Sequence, residues 1–75
     1  MSDVIDVDAE GLRCPLPVLR LGKALRAAPT GSVVRLRADD AMAQVDVPHF
    51  CHESGHRLSD IREEQGVFVF TVEKR

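Results

Sequence analysis

The chain has 75 residues, room for one domain spanning 1–75, because independent domains rarely run below about 50 residues. Folding at this size buries only roughly 60% of the unfolded surface, and two cysteines cannot build the multi-disulfide scaffold that often supports so thin a core. With 44% apolar and 29% charged residues and a net charge of −2, global disorder and a basic, non-specific nucleic-acid binder are both poor fits.

Apolar runs fall far short of the roughly 20 residues a membrane helix needs. Met1-Ser2-Asp3-Val4-Ile5-Asp6 lacks a basic stretch followed by an apolar one, so no signal peptide is expected. The expected location is the cytoplasm, where thiols stay reduced and a lone cysteine is free for chemistry. There is no Tyr or Trp. Only Phe50, Phe68 and Phe70 could stack on bases, and Phe68 and Phe70 read as core.

From the N-terminus, Ile5, Val7 and Ala9 alternate with Asp6 and Asp8, the period-two pattern of a half-buried strand. Glu10 to Arg13 connects it to Cys14-Pro15-Leu16-Pro17. From there to Ala28 the spacing of Val18, Leu21, Leu25 and Ala28 places one apolar face on a helix. Prolines fit its first turn, whose N–H groups lack intrahelical partners, and Pro29-Thr30-Gly31-Ser32 ends it. Val33 to Ala38 alternates again, with Val34, Leu36 and Ala38 inward and Arg35 and Arg37 outward.

Asp39 to Val45 shows no sustained period and reads as a loop. Asp46-Val47-Pro48 reads as a helix start, with Asp46 as N-cap and proline in the first turn. Val47, Phe50, Cys51 and Ser54 then share a face, and Gly55 is the stop. Arg57 to Glu63 predicts a weaker strand, its Leu58 and Ile61 out of strict alternation, as at a bulge or an edge. Gln65-Gly66 reads as a hairpin turn into the clearest strand, Val67 to Val72, with Phe68, Phe70 and Val72 facing the helices. The stripes are buried most simply by a two-layer α/β sandwich of order βαβαββ: a four-stranded mixed sheet with two helices on one face.

Cys14 is the candidate reactive residue. It stands where a strand-to-helix loop meets a helix N-terminus, a place that favours an anion and lowers a thiol pKa. The thiolate is the nucleophile, and the same place would stabilise a persulfide anion. Pro15 and Pro17 give no N–H donor but rigidify the turn that presents the sulfur. The competing reading is that Cys14 is a small buried hydrophobe.

His49, His52 and His56 cluster around Cys51, with His52 and His56 four apart on one helical face. Structural zinc sites want four ligands and a cysteine-pair spacing that is missing here, so neither a metal nor another cofactor is expected. Cys51 reads as packing. Arg20, Lys23 and Arg26 recur every three residues, with Arg13 upstream. They form either a solvated helix face or a docking surface for an acidic partner beside the thiol.

The segment Gly11-Leu12-Arg13-Cys14-Pro15-Leu16-Pro17-Val18-Leu19 resembles the Cys-Pro-x-Pro signature of the TusA/SirA-like sulfur carriers. Asp39-Asp40, Asp46-Val47-Pro48, Phe50-Cys51, Gly55-His56 and Gly66-Val67-Phe68 extend the resemblance over residues 5 to 75. It implies a βαβαββ sandwich in which Cys14 accepts sulfane sulfur as a persulfide, with Asp46 in the loop–helix motif near it. It also implies a cysteine desulfurase or rhodanese-type donor, and a downstream acceptor protein serving tRNA thiolation, sulfur oxidation or cofactor assembly. Leu16 stands where the best-known tRNA-thiolation members carry an acidic residue, and Ala41 where proline often follows the paired aspartates. These two departures bear on pathway and partner, not on the thiol.

Two other functions remain open on sequence alone. Small sandwiches of this order also occur as RNA- or protein-binding regulatory modules. A Cys14–Cys51 redox switch would require Cα atoms within about 7 Å.

Overall fold

A computed structural model describes residues 4–75. Its elements are β1 (Val4–Asp8), α1 (Leu16–Ala27), β2 (Val33–Ala38), α2 (Ala43–Ser54), β3 (Arg57–Glu64) and β4 (Val67–Glu73). The sheet order is β1-β2-β4-β3; β1 and β2 are parallel, whereas β4 pairs antiparallel with both β2 and β3. Both helices cover one face of this mixed sheet, as the βαβαββ reading expected.

Alternation decides which side chains the helices cover. Val34, Leu36 and Ala38 of β2 and Phe68, Phe70 and Val72 of β4 point into the core, where they meet Leu21 and Leu25 of α1 and Val47 and Cys51 of α2. In the register Val34 lies opposite Val72, Leu36 opposite Phe70 and Ala38 opposite Phe68, so the two central strands stack large on large and small on large. Phe68 and Phe70 belong to this core and are not a base-stacking platform.

The other face is charged. Arg35 pairs with Asp6 (3.1 Å), Arg37 with Glu10 (3.1 Å) and Arg62 with Asp60 (2.9 Å), leaving no arginine row free of an acidic neighbour among these three. Such exposed pairs contribute little to stability individually.

The edge strand β3 carries the irregularity its spacing foretold. Its register shifts between Leu58 and Asp60, so Ser59 is absorbed as an extra residue. Leu58 then lies opposite Val72 and Ile61 opposite Phe70, which returns two residues three apart to one face. Ile61 stays 45% exposed because it lies at the sheet edge. The turn to β4 has positive φ at both Gln65 (52°) and Gly66 (82°), as a two-residue type I′ hairpin needs. Only Gly66 adopts such a conformation without steric cost. Gln65→Gly is therefore expected to raise stability by about 0.5–1 kcal/mol, the αL penalty less the entropy of the added glycine. Urea denaturation at constant slope checks this, and a lower midpoint would contradict it.

Two expectations about α2 need correction. The helix begins at Ala43, not at Asp46. Asp40 starts it, accepting the Met42 N–H at Oδ1 (3.2 Å) and the Ala43 N–H at its backbone carbonyl (3.0 Å). Asp46 thus sits inside the helix with its carboxylate free of capping duty, and Pro48 is tolerated internally. Ser54, expected on the buried face, is exposed at the C-terminal end and donates its hydroxyl to the Phe50 carbonyl. Gly55 closes the helix in the left-handed conformation, φ 79°, as expected of a C-terminal glycine.

Candidate functional site

The β1–α1 and β2–α2 loops, at one end of the sheet, are tied together by side-chain carboxylates. Leaving β1, the chain turns through Glu10 and Gly11, whose N–H donates to Asp39 Oδ1 (2.9 Å). The Cys14 N–H donates to Asp40 Oδ2 (2.7 Å). Asp39 and Asp40 directly follow β2, so the end of the central strand anchors the cysteine loop. Arg13 reaches Asp39 at 3.9 Å with most of its side chain in solvent.

Cys14 is exposed, and Cys51 is buried; both are free thiols. The buried-hydrophobe alternative therefore describes Cys51 and not Cys14. Across a cis peptide bond, Cys14 leads into Pro15, with Pro17 in the first turn of α1. The Cys14 thiol donates to Asp46 Oδ2 at 2.6 Å. Around that contact lies a shallow groove of about 380 Å³ lined by Pro15 and Val18 of the first helix region and by His49, Phe50 and Glu53 of α2. Phe50 closes onto α1 where Gly22 has no side chain: a Cβ there would stand 3.3 Å from the ring.

The expected lowering of the Cys14 pKa is reversed. Its pKa is raised, first because Asp46 accepts a hydrogen bond from the protonated thiol, then through partial desolvation and the negative charges of Asp46 and Asp40. The helix end cannot compensate. Pro15 and Pro17 carry no N–H, and the Leu16 N–H is spent on the Arg13 carbonyl (2.8 Å), so the first turn has few donors for an anion. Asp40, in contrast, is held below the ordinary carboxylate range by the Cys14 N–H and then by the Met42 N–H. Burial pushes the Cys51 thiol up, in keeping with a packing role.

Two of the basic residues on α1 have partners of their own. Arg20 turns towards the sheet and donates from Nη1 to the Asp8 carbonyl (3.1 Å). Lys23 and Arg26 are exposed further along α1, and the Arg26 guanidinium folds back over Gly22. Two carboxylates contact Cys14 directly, Asp46 at the sulfur and Asp40 at its backbone N–H, while His49 and Glu53 line the groove beside it.

His52 and His56 do not share a helical face, because Gly55 ends α2 between them. His56 Nδ1 instead accepts the Arg75 N–H (3.1 Å). His49 was grouped with them by sequence, yet it alone of the three lines the groove. Among the described residues no three His, Cys, Asp or Glu side chains converge to hold a metal ion. No described helix is long and apolar enough to cross a membrane.

Sequence reasoning missed Asp40, Val18, Phe50 and Glu53 as parts of the site. For Asp40 a signal existed: an aspartate at a strand end commonly starts a turn that caps a helix by accepting the N–H two residues on.

An exposed thiol on a proline-stiffened loop, over a two-layer βαβαββ sandwich, defines a small thiol-presenting protein. The family described as sulfurtransferase TusA matches residues 5–74, and the chain belongs to it. Among relatives, the sulfur carrier protein TusA of Allochromatium vinosum is 39% identical over 69 residues, covering 92% of this chain and 91% of that protein. The protein of the same description from Pseudomonas entomophila is 37% identical over a 78-residue alignment covering 100% and 98%. Among solved structures, the SirA-like protein from Desulfitobacterium hafniense superposes with a TM-score of 0.80 at 28% identity, covering 92% of this chain and 95% of that one.

Proposed function

We propose that this protein carries sulfane sulfur as a persulfide on Cys14. The observation that carries the reading is the exposed Cys14 thiol, hydrogen-bonded to Asp46 at 2.6 Å beside an open groove. A thiol so placed is reachable by a second protein's cysteine, and the relatives described as sulfur carriers supply the cargo.

Loading is a thiol exchange with no net oxidation. The Cys14 thiol gives up its proton, and the thiolate attacks the outer sulfur of a donor persulfide. A new S–S bond forms at Cys14 while the donor's S–S bond breaks, and the donor cysteine leaves as a thiolate that takes up a proton. Unloading repeats the exchange: an acceptor nucleophile attacks the outer sulfur, and Cys14 returns as the thiol. A cysteine desulfurase or a rhodanese-type protein fits the donor role, and a downstream protein that needs sulfane sulfur the acceptor role. Arg13, Arg20, Lys23 and Arg26 offer cationic contacts for an acidic flank of such a partner. In this scheme Pro15 and Pro17 hold the loop and Asp46 keeps the resting thiol protonated.

Asp46 has a sign that is easily read. Asp46→Ala removes both the acceptor and a negative charge, so the Cys14 pKa falls and more thiolate is present at neutral pH. Iodoacetamide alkylation of Cys14, followed by intact mass at pH 7, is expected to run about 3–10-fold faster, because the thiolate is the species alkylated. An unchanged or slower rate would remove Asp46 from the site. Carriage itself is tested by incubating the protein with a cysteine desulfurase and cysteine, or with a rhodanese and thiosulfate, and weighing it without reductant. Gain of one sulfur, reversed by a thiol reductant, is the expected result; no gain from either donor would overturn the proposal.

A further inference from the structure

We propose that Asp40 is the positioning residue of this site: its one carboxylate fixes the Cys14 loop to the start of α2 so that Asp46 meets the sulfur. The inference takes its functional meaning from the sulfur-carrier reading, though the contacts it explains do not depend on it.

Asp40 uses both carboxylate oxygens on backbone N–H groups from different parts of the chain. Oδ2 accepts from Cys14 at 2.7 Å and Oδ1 from Met42 at 3.2 Å. Met42 leads one helical turn on to Asp46, whose N–H donates to the Met42 carbonyl (2.9 Å). Asp46 in turn receives the Cys14 thiol at 2.6 Å. The contacts close a ring: Cys14 backbone, Asp40, Met42, Asp46, Cys14 sulfur. Two long-range links hold it, and each sets the geometry the other needs. Asp39 does a different job, holding the Gly11 N–H (2.9 Å) without reaching α2.

The bridge requires a carboxylate. An asparagine has one carbonyl oxygen, and its NH2 would face the second N–H donor, so only one of the two backbone groups can be satisfied. Acidic charge alone does not predict this. Apart from Asp40, the charged or titratable groups facing Cys14 are Asp46, His49 and Glu53 from α2 and the neighbouring Arg13 from its own loop. A residue acting only as one more charge among them would change thiol reactivity by the same factor whether or not Asp46 is present.

The test is a double-mutant cycle read on Cys14. Iodoacetamide alkylation rates are measured by intact mass across pH 6–10 for the wild type, Asp40→Asn, Asp46→Ala and the double variant, with a circular-dichroism melt confirming that each is folded. Asp40→Asn is expected to speed alkylation at neutral pH about 3–10-fold in the wild-type background and less than about 2-fold in the Asp46→Ala background, because little remains to be positioned. Asp39→Asn should act by the same small factor in both. Asp40→Glu keeps the charge and lengthens the arm by one methylene; it is expected to speed alkylation too, and it supplies the cycle if the asparagine variant does not fold. Equal factors in the two backgrounds, or no effect of Asp40→Glu, would overturn the proposal and leave Asp40 as a charge only. Sulfur uptake by the wild type is weighed in parallel. Coupling without uptake refutes the carrier reading and keeps the positioning role, whereas uptake with additive factors does the opposite.

Discussion

Cys14→Ser is expected to abolish sulfur uptake and leave the protein folded. A serine hydroxyl is isosteric enough to keep the loop, and it still donates to Asp46, but it has no nucleophilic anion at neutral pH and forms no persulfide. Because Cys14 is exposed, the exchange of sulfur for oxygen removes no core contact, and the melting temperature should move little. Cys51→Ser gives the opposite pattern. That thiol is 2% exposed within the core between α2 and the sheet, so a hydroxyl there costs stability through an imperfectly paired polar group, while uptake per folded molecule persists. Intact mass after donor incubation, beside thermal melts, separates the two. Uptake surviving in Cys14→Ser, or lost in a folded Cys51→Ser, would place the carrier sulfur elsewhere.

The second large effect is structural. Phe70 is fully buried on β4, opposite Leu36 on one side and Ile61 on the other, with the Phe68 ring 6.4 Å away. Removing its ring in Phe70→Ala should cost about 3–5 kcal/mol in lost burial and cavity. Stability of roughly 0.05–0.15 kcal/mol per residue gives a chain of 75 residues a margin of the same order, so the variant is expected to be unfolded or close to it at 37 °C. Phe70→Leu, which keeps most of the volume, should stay folded. Urea denaturation of both variants measures this. A loss below about 1 kcal/mol for Phe70→Ala would mean that the core is not built around this residue.

Much of this arrangement was legible in one dimension because it rests on periodicity. The alternation in Val33–Ala38 and Val67–Val72 fixed which residues face the helices, and the odd spacing of Leu58 and Ile61 forced a bulge wherever the strand was to bury both. The Cys-Pro-x-Pro loop and the long match to the sulfur carriers singled out Cys14. What was not legible involves pairs distant in sequence. Asp46 looked like an N-cap because Asp followed by Pro two residues on is a common helix start. The helix actually begins at Ala43 because Asp40 supplies the turn through its local Oδ1 contact with the Met42 N–H; what the local signal cannot show is that Oδ2 holds the Cys14 loop. The same cause reversed the expected thiol shift. The helix-terminus rule counts N–H donors, which Pro15 and Pro17 remove, and it cannot see a carboxylate 32 residues away that accepts a hydrogen bond from the thiol.

By itself, then, the amino-acid sequence determined the element order, the inward faces of the central strands, and the terminating role of Gly55. These follow from local backbone preference and from the periods of helix and strand, which act within a few residues. Only the tertiary structure decided that the sulfur meets the Asp46 carboxylate, that Asp40 joins the Cys14 loop to the start of α2, and that Arg20 of α1 turns to the end of β1. Each of those is a contact between segments that the sheet order brings together, and hydrogen bonds of under 3 Å are set by that assembly, not by neighbours along the chain.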